Sequence, residues 1–429
     1  MIARPPLPAG PFLVVGLARS GAAAARILRD HGEVIGADSG SPDVPDLHGV
    51  EVHLQVDGVE LLDRVKTVVK SPGVPQQAPV IATARARGID VTGELEIAWR
   101  LLPNEFVAIT GTNGKTTTTE LLGAVHREAG VPVAVAGNVG TPLSSLVGKL
   151  RDEVVVAECS SFQLEDSSAF AAECAVLLNL AEDHLDRHRT FAAYRAAKVQ
   201  FFERLRSHDV AVIPRGFELT TPATTVTFGG PGADLENRDD FLWWRGEQLV
   251  ETSEIRLIGA HNRENAMAAS AAAIARGIEP DAVRRALTTF PGVEHRLEEV
   301  AARNGIRYFN DSKATNVTST RVALEAFEGG VHLIVGGRAK GGGFRSLRDG
   351  VTERCRAVYV IGEAAEELAR DLDGAAPVHE CGDLEHAVGA ARRAARAGEV
   401  ILLSPACASY DQYRDYEQRG RRFRDLARG

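Results

Sequence analysis

The sequence predicts an α/β protein of three successive domains, at residues 1–103, 104–292 and 293–429. The chain of 429 residues is too long for one ordinary hydrophobic core. Short apolar runs alternate with helical stretches along it, which is typical of doubly wound parallel sheets. Pro103-Asn104 and Pro291-Gly292 interrupt this alternation and mark the two predicted boundaries.

The composition excludes several classes of protein. Hydrophobic residues make up 44% and charged residues 25% of the chain, as in globular proteins. No run of about 18 apolar residues occurs, so no membrane helix is predicted. The net charge of −9 argues against a general nucleic-acid binder. Five scattered cysteines without a CxxC pair are typical of a reduced, cytoplasmic compartment.

The first domain is predicted to be Rossmann-like. Its loop Gly16–Gly21 follows an apolar strand and nearly matches the dinucleotide pattern G-x-G-x-x-G. Ala18 replaces the second glycine and limits how closely a pyrophosphate can approach the backbone. Asp38 stands about 20 residues downstream, where such domains bind a ribose hydroxyl. These features favour a nucleotide diphosphate over NAD. Strands are predicted at 12–16, 34–38 and 65–70, with helices at 21–31 and 94–101.

The second domain is predicted to be a P-loop ATPase-like parallel sheet. Thr110–Thr117 follows an apolar strand and opens a helix, so its glycines and helix start suit a phosphate. Lys115 would contact the outer phosphates, and the Thr116 hydroxyl would bind Mg²⁺. Ile109 stands where the Walker pattern has its first glycine, so the loop is a variant. Further predicted elements are strands at 106–110, 154–157 and 175–178, an antiparallel region at 214–258, and helices at 191–204 and 261–276.

Acidic and histidine residues follow the next strands of this domain. Glu158 comes directly after one strand and suits the Mg²⁺ of a bound nucleotide. Residues 179–188 follow another strand and contain His184 among three acidic residues. A zinc site is conceivable there, but the lack of a nearby cysteine or HExxH motif favours a second Mg²⁺. Lys198 is one of seven lysines among 49 basic residues, and it lies in a predicted helix.

The third domain is predicted to be Rossmann-like, with polar segments after three of its predicted strands. These segments are 310–316, 336–343 and 404–413. Because the carboxyl ends of parallel strands share one edge of a sheet, all three segments are expected to line one crevice. Strands are predicted at 306–309, 331–335, 357–361 and 400–403.

Taken together, these motifs resemble the Mur ligase family of ATP-dependent amide-bond ligases, in that family's order and over essentially the whole chain. The resemblance rests on the variant P-loop, Glu158, the Asp-His segment, Lys198, His261–Asn265, His295-Arg296 and Asn310–Asn316. Within the family, Gly16–Gly21 with Ser71–Gly73, Glu158–Leu164 and Ser404–Gly420 are similar to the member that adds D-glutamate. The implied reaction joins D-glutamate to UDP-N-acetylmuramoyl-L-alanine through an acyl phosphate, in peptidoglycan precursor synthesis.

Carried over position by position, the resemblance implies sites for ATP, two Mg²⁺ ions, a UDP-sugar and an amino acid. ATP would contact Gly111, Thr112, Asn113, Gly114, Lys115, Thr116 and Thr117, with Asn265 at adenine, Arg296 at the γ-phosphate and Asp311 at the ribose. Thr116 and Glu158 would bind one Mg²⁺, and His184 and a carbamylated Lys198 would form part of the other site. The UDP-sugar would contact Arg19, Ser20, Asp38, Ser39, Gly73, Asn138, Ser160, Phe162 and Gln163. D-Glutamate and the acyl phosphate would contact Lys313, Thr315, Lys340, Ser409 and Tyr416. The implied catalytic residues are Lys115, His184, Lys198 and Arg296.

Two positions depart from the family pattern. Gly40 stands where a polar residue is common, which moves the expected uracil contacts toward Arg19 and Ser20. Tyr416 stands where phenylalanine is common. Two other functions stay open: a ligase of this family that adds L-glutamate or lysine, and a nucleotide-binding oxidoreductase or regulatory module. The expected partners are small molecules, without nucleic acid or membrane, and a monomer is expected.

Overall fold

The computed structural model describes residues 4–44 and 47–429, and it confirms the α/β class. The chain divides into two compact units. One comprises Met1–Glu254 with Glu264–Thr288, and the other comprises Ile255–Arg263 with Thr289–Gly429. The domain boundaries at residues 103 and 292 stay predictions. No helix in the described ranges is long and apolar enough to cross a membrane.

The first sheet of the larger unit has five parallel strands in the order β3-β2-β1-β4-β5. The central strands β1 and β4 are buried along their whole length, as expected of a sheet covered by helices on both faces. The strand order reverses between β1 and β4, and ligands bind at such a switch point in open α/β sheets. The strands are β1 Phe12–Val15, β2 Val34–Asp38, β3 Glu51–Leu54, β4 Thr67–Lys70 and β5 Asp90–Gly93, and the helices are α1 Arg19–Leu28, α2 Pro79–Ala86 and α3 Glu94–Leu101.

The second sheet has nine strands in the order β14-β13-β12-β11-β10-β9-β6-β8-β7. Its centre is the parallel group around β6, whose five residues are all buried. The strands are β6 Phe106–Thr110, β7 Val133–Gly137, β8 Val154–Glu158, β9 Cys174–Leu177, β10 Val210–Pro214, β11 Thr224–Gly229, β12 Leu235–Arg238, β13 Phe241–Trp244 and β14 Glu247–Glu251. The helices are α4 Lys115–Glu128, α5 Ser161–Glu165, α6 Leu185–His188, α7 Phe191–Val199, α8 Ala260–Ala275 and α9 Pro280–Thr289.

Two details of this sheet correct the sequence prediction. The region 214–258 is antiparallel only in β12–β14, because β11 pairs in parallel with both β10 and β12. The helix predicted over 191–204 ends at Val199 and continues as the 3₁₀-helix Gln200–Arg204. Phe201 and Phe202 are both buried there, so packing into the core decides the local geometry.

The smaller unit contains a six-stranded sheet in the order β15-β16-β20-β17-β18-β19. All neighbours pair in parallel except β15 and β16. The strands are β15 Glu298–Arg303, β16 Ile306–Asn310, β17 Val331–Gly336, β18 Cys355–Ile361, β19 Val378–Gly382 and β20 Val400–Leu403. The helices are α10 Val317–Leu324, α11 Arg348–Arg354, α12 Ala365–Leu372, α13 Leu384–Ala394 and α14 Tyr416–Arg428. The predicted polar segments follow β16, β17 and β20, which are adjacent in the sheet.

Candidate active site

A cavity of about 350 Å³ lies where β1 and β4 end, at the switch point of the first sheet. The strand-end loops of β1 and β4 form one part of its wall, and Asn138, which follows β7, and Gln163 of α5 form another. It brings together these predicted UDP-sugar residues: Arg19, Ser20, Asp38, Gly73, Asn138 and Gln163. Of the remaining three, Ser39 is exposed, Ser160 is buried and Phe162 is half-buried.

The loop at this cavity is held in a fixed shape by short contacts. The Asp38 carboxylate accepts hydrogen bonds from Leu17 N at 2.7 Å and Gly40 N at 2.8 Å. A Cβ atom on Gly21 would lie 1.8 Å from Gly16 O, so only glycine fits there. Asp38 therefore orders the loop, in addition to any contact that it makes with a nucleotide.

Ser160 and Gln163 form a capping box at the start of α5. The Ser160 hydroxyl accepts a hydrogen bond from Gln163 N at 3.3 Å, and Gln163 Oε1 accepts one from Ser160 N at 2.9 Å. This pairing fixes Gln163, whose side chain also lines the cavity. Both residues were predicted as UDP-sugar contacts, and the structure gives each of them a local role as well.

The predicted phosphate loop lies between β6 and α4, with a left-handed glycine at the helix start. Gly114 has φ +84°, and a Cβ atom there would lie 2.0 Å from Asn265 Oδ1. The predicted adenine residue Asn265 thus lies directly against the phosphate loop. Thr116 and Thr117, in the first turn of α4, are buried, and a fourteen-residue helix presents its N-terminal dipole at the loop.

Two residues that sequence reasoning did not place in the site hold this loop. Asn179 O accepts a hydrogen bond from Thr112 N at 3.0 Å, and Asn179 Oδ1 accepts one from Asn113 N at 2.9 Å. The Tyr194 hydroxyl lies 3.0 Å from Thr112 Oγ1. Asn179 carries the signal of a polar residue just after a strand, whereas nothing in the spacing of Tyr194 indicates this contact.

Two lysine amines converge on one carbonyl of the loop. Lys115 Nζ donates to Gly111 O at 2.9 Å and to Thr112 O at 2.8 Å, and Lys198 Nζ donates to Gly111 O at 2.8 Å. Lys198 is only 2% exposed. Burial, and then the nearby Lys115 charge, lower the pKa of Lys198 from 10.5 to about 7. A large fraction of the Lys198 amine is therefore neutral and nucleophilic near neutral pH.

The predicted metal ligands offer a donor set that suits Mg²⁺. Glu158 ends β8, is buried, and accepts a hydrogen bond from Asn138 Nδ2 at 3.0 Å through Oε1. Among the described residues, no three His, Cys, Asp or Glu side chains form a metal-binding group. Mg²⁺ takes one or two protein oxygens together with phosphate and water. One carboxylate and the Thr116 hydroxyl fit such a site.

His184 lies on an exposed segment with φ +51°. Its ring centroid lies 4.9 Å from that of Phe162, and its Nε2 atom lies 3.5 Å from Asp183 Oδ2. The predicted pairing of His184 with Lys198 at a second Mg²⁺ stays a prediction.

The smaller unit brings several predicted residues into pairs. Lys340 Nζ donates to Thr315 Oγ1 at 3.0 Å, and Lys313 Nζ lies 5.7 Å from the centre of the Tyr416 ring. Tyr416 is the first residue of α14. Ser409 is buried in the segment that follows β20. The cationic and hydroxyl groups predicted to bind an amino acid are thus all on strand-end segments or at a helix start.

Asp311 is buried at the end of β16, and burial raises its pKa from 3.8 to about 7. Its Oδ2 atom accepts a hydrogen bond from the Ser404 hydroxyl at 2.8 Å, and its Oδ1 atom accepts one from Leu297 N at 3.3 Å. The positive charge of Arg296 partly offsets the effect of burial on this pKa. The predicted γ-phosphate residue and the predicted ribose residue therefore affect each other electrostatically.

A buried arginine within Ser404–Gly420, the stretch on which part of the family resemblance rests, joins the strand-end segments, and sequence reasoning gave it no role. Arg419 donates to Ser312 O at 2.9 Å and Oγ at 3.0 Å, and to Cys407 O at 3.2 Å. Burial lowers the pKa of Arg419 to about 10. The next residue, Gly420, leaves room for His295, since a Cβ atom there would lie 2.2 Å from His295 Nδ1. Arg419 and Gly420 thereby order the segments after β16 and β20.

Comparison with protein families gives two matches along the chain. Residues 109–273 match the Mur ligase middle domain, and residues 295–407 match the glutamate ligase domain of Mur ligases. These ranges include the phosphate loop, Lys198, Asp311 and Lys340.

Individual relatives are similar over nearly the full length. The UDP-N-acetylmuramoylalanine--D-glutamate ligase of Acidobacterium capsulatum is 42% identical, over 96% of this chain and 95% of that protein. The protein of the same name from Solibacter usitatus is 41% identical, over 97% of both chains.

Among solved structures, MurC from Thermotoga maritima has a TM-score of 0.61 at 20% identity, covering 97% of this chain and 99% of that one. MurF from the same organism, in complex with ADP, has a TM-score of 0.61 at 16% identity, covering 92% of this chain and 95% of that one. These two likenesses concern the fold.

Proposed function

The chain belongs to the Mur ligase family, and from this we propose that it joins D-glutamate to UDP-N-acetylmuramoyl-L-alanine at the expense of ATP. The observation that carries the proposal is the full-length likeness to relatives bearing that activity in their names. Two features support the proposal: the cavity at β1 and β4, which would take the sugar nucleotide, and the loop before α4, which would take the phosphates of ATP.

ATP supplies a phosphoryl group that turns the unreactive L-alanyl carboxylate into an acyl phosphate. Two anions must meet in that step, so positive charge is needed around them. Lys115 lies on the phosphate loop, and Arg296 is its predicted counterpart at the γ-phosphate. Thr116 and Glu158 would hold the Mg²⁺ that neutralises further phosphate charge when bound. When ATP binds, Lys115 would give up its hydrogen bonds to Gly111 O and Thr112 O and donate to phosphate oxygens instead.

The second step needs a bound amino acid whose amine attacks the acyl carbonyl and displaces phosphate. D-Glutamate carries two carboxylates, which suit cationic and hydroxyl groups. Lys340, Thr315 and Lys313, on strand-end segments, and Tyr416, at the start of α14, would supply such groups. Ser409 is proposed to complete the contacts.

Lys198 is proposed to react with carbon dioxide to form a carbamate. The ammonium first loses one proton, and the neutral amine then attacks the carbon of CO₂ and loses a second proton. The two losses together convert a cation into an anionic carbamate. The lowered pKa supports this reaction, because a protonated amine cannot attack. The resulting anion, with His184, would serve a second Mg²⁺ site. An arginine at this position would stay protonated and could not react.

The proposal is tested by measuring phosphate release from ATP with purified protein. The expected result is release only when UDP-N-acetylmuramoyl-L-alanine and D-glutamate are both present. L-Glutamate, L-lysine and D-alanine serve as alternative amino acids in the same assay. Faster release with any of these would assign the chain to a different ligase of the family.

We also propose a cytoplasmic monomer, and size-exclusion chromatography with light scattering tests the oligomeric state.

A further inference from the structure

Arg187 joins the two sheets of the larger unit, and the proposed mechanism does not use it. Arg187 lies on the short helix α6, after β9 of the central sheet. Its guanidinium donates to three consecutive carbonyls of the loop after β4: Pro72 and Gly73 at 3.4 Å, and Val74 at 3.2 Å. These three residues also line the cavity at the switch point of the first sheet.

The guanidinium is held in place by aromatic rings. Its Cζ atom lies 4.4 Å from the centre of the Phe162 ring. The ring of His188 stacks on Phe162 at 5.3 Å and 9°, and His188 Nε2 lies 3.0 Å from the Ser161 hydroxyl. Arg187 therefore reaches the loop from a packed support on α5 and α6.

The base of the same loop is held by buried charges. Lys70 Nζ forms an ion pair with Asp166 Oδ2 at 2.7 Å, and both side chains are almost fully buried. Lys70 Nζ also donates to Val74 O at 2.9 Å. Gln76 Nε2 donates to Asp166 Oδ1 at 2.7 Å. Lys70 and Arg187 thus both hold this loop, Lys70 through Val74 O and Arg187 through the carbonyls of Pro72, Gly73 and Val74.

We infer that Arg187 is a positioning residue for the sugar nucleotide, acting through the loop Pro72–Val74, and the inference rests on the proposed function. Its three hydrogen bonds set the position of the loop at the cavity, and its charge adds positive potential beside a diphosphate. The chemistry of the residue fits this task, because a guanidinium presents several donors in a plane and stacks on an aromatic ring. A lysine ammonium is a single point of charge, so it cannot reproduce both the hydrogen bonds to the loop carbonyls and the stacking on the Phe162 ring.

The test is calorimetric titration of UDP-N-acetylmuramoyl-L-alanine into the full-length protein without ATP. Arg187→Ala is expected to weaken binding about tenfold, the size of losing one or two charge-assisted hydrogen bonds. Arg187→Lys should recover part of the affinity and remain about threefold weaker than wild type. The KM for the sugar nucleotide should rise in parallel, while the KM for ATP and kcat stay within about twofold, a split that general destabilisation would not produce.

Arg189→Ala is the matched control, because Arg189 is exposed in the same segment and loses the same charge. It should bind like wild type. Equal affinities for wild type, Arg187→Ala and Arg187→Lys would overturn the inference. If Arg187→Ala does not fold, Arg187→Lys decides alone, and wild-type affinity in that variant contradicts the inference. Failure of the wild-type protein to bind the sugar nucleotide would instead contradict the proposed function.

Discussion

Lys198 has an environment that is unusual for a lysine, because it is buried and bonded to a loop carbonyl. If its function is that of a carbamate, Lys198→Ala removes an anion that a small carboxylate can replace. Turnover should fall at least about a hundredfold, as for other preorganised charges, and recover in part with added formate or acetate. Phosphate release measures both effects. Lys149→Ala, at an exposed lysine, should show neither loss nor rescue. Full turnover of Lys198→Ala without added acid would remove the carbamate from the mechanism.

The lowered pKa of Lys198 also predicts how stability depends on pH. In the unfolded chain this amine keeps its proton up to its ordinary pKa of 10.5, whereas in the folded protein it loses the proton at about 7. Between these values the unfolded state binds more protons, so the free energy of unfolding contributed by Lys198 rises with pH. Urea unfolding at pH 7 and pH 9, in buffer without carbon dioxide, measures the difference between the free energies of unfolding at the two pH values.

Lys198→Met isolates this effect from other titrating groups. The gain in stability between the two pH values should be smaller in Lys198→Met than in wild type, because the variant lacks the titrating amine. An identical gain in both proteins would show that Lys198 keeps an ordinary pKa.

Lys115 is the other amine at the phosphate loop, and its proposed role is electrostatic. Lys115→Ala should lower turnover at least about a hundredfold, the usual effect of losing one preorganised charge. Lys115 Nζ donates to two carbonyls of its own loop, Gly111 O and Thr112 O. Near-normal phosphate release by Lys115→Ala, measured beside Lys149→Ala, would contradict a phosphate role for Lys115.

The start of helix α4 depends on a glycine for two separate reasons, backbone conformation and the proximity of Asn265. Gly114→Ala would strain a left-handed backbone by about 1 kcal/mol and press on Asn265. ATP binding should weaken at least about tenfold, which calorimetry with a non-hydrolysable analogue measures. Gly130→Ala has the same backbone strain, at φ +69°, but no atom lies within 4 Å of the added Cβ. Equal ATP affinities in the two variants would contradict the contact between the phosphate loop and Asn265.

The strands and the polar segments that follow them arise from local patterns, and the sequence predicts these elements well. The apolar runs before Gly16, Gly111 and Asp311 are strands, and the polar segments follow them as expected. The contacts that organise the site are not local. Arg419 and Ser312 are 107 residues apart, and Arg187 and Gly73 are 114 apart. No periodicity marks such pairs, since each depends on how distant elements pack.

The antiparallel pairing predicted for residues 214–258 is wrong in β11 for the same reason, because distant packing is not visible in the local sequence. Short runs broken by glycine and aspartate are typical of hairpins, and β12–β14 do form antiparallel pairs. β11 instead extends the parallel sheet beside β10, with Val226 and Phe228 buried. The burial of these two side chains against the existing core determines the direction of the strand, and it is not visible in the local sequence.

In the whole molecule, the residues proposed for the reaction are divided between the two units. The larger unit holds the cavity proposed for the sugar nucleotide, the predicted phosphate loop and Lys198. The smaller unit holds Asp311 and the residues proposed for D-glutamate. The central claim is that the acceptor carboxylate takes a phosphoryl group from ATP before the amine attacks.

Oxygen transfer tests this claim most directly. The terminal L-alanyl carboxylate of the sugar nucleotide is labelled with ¹⁸O, and the phosphate released with ATP and D-glutamate is analysed by mass spectrometry. Because one carboxylate oxygen attacks phosphorus and leaves with it, each phosphate should carry one atom of ¹⁸O from the acceptor. Amide formation with unlabelled phosphate, or with AMP as the nucleotide product, would contradict the account.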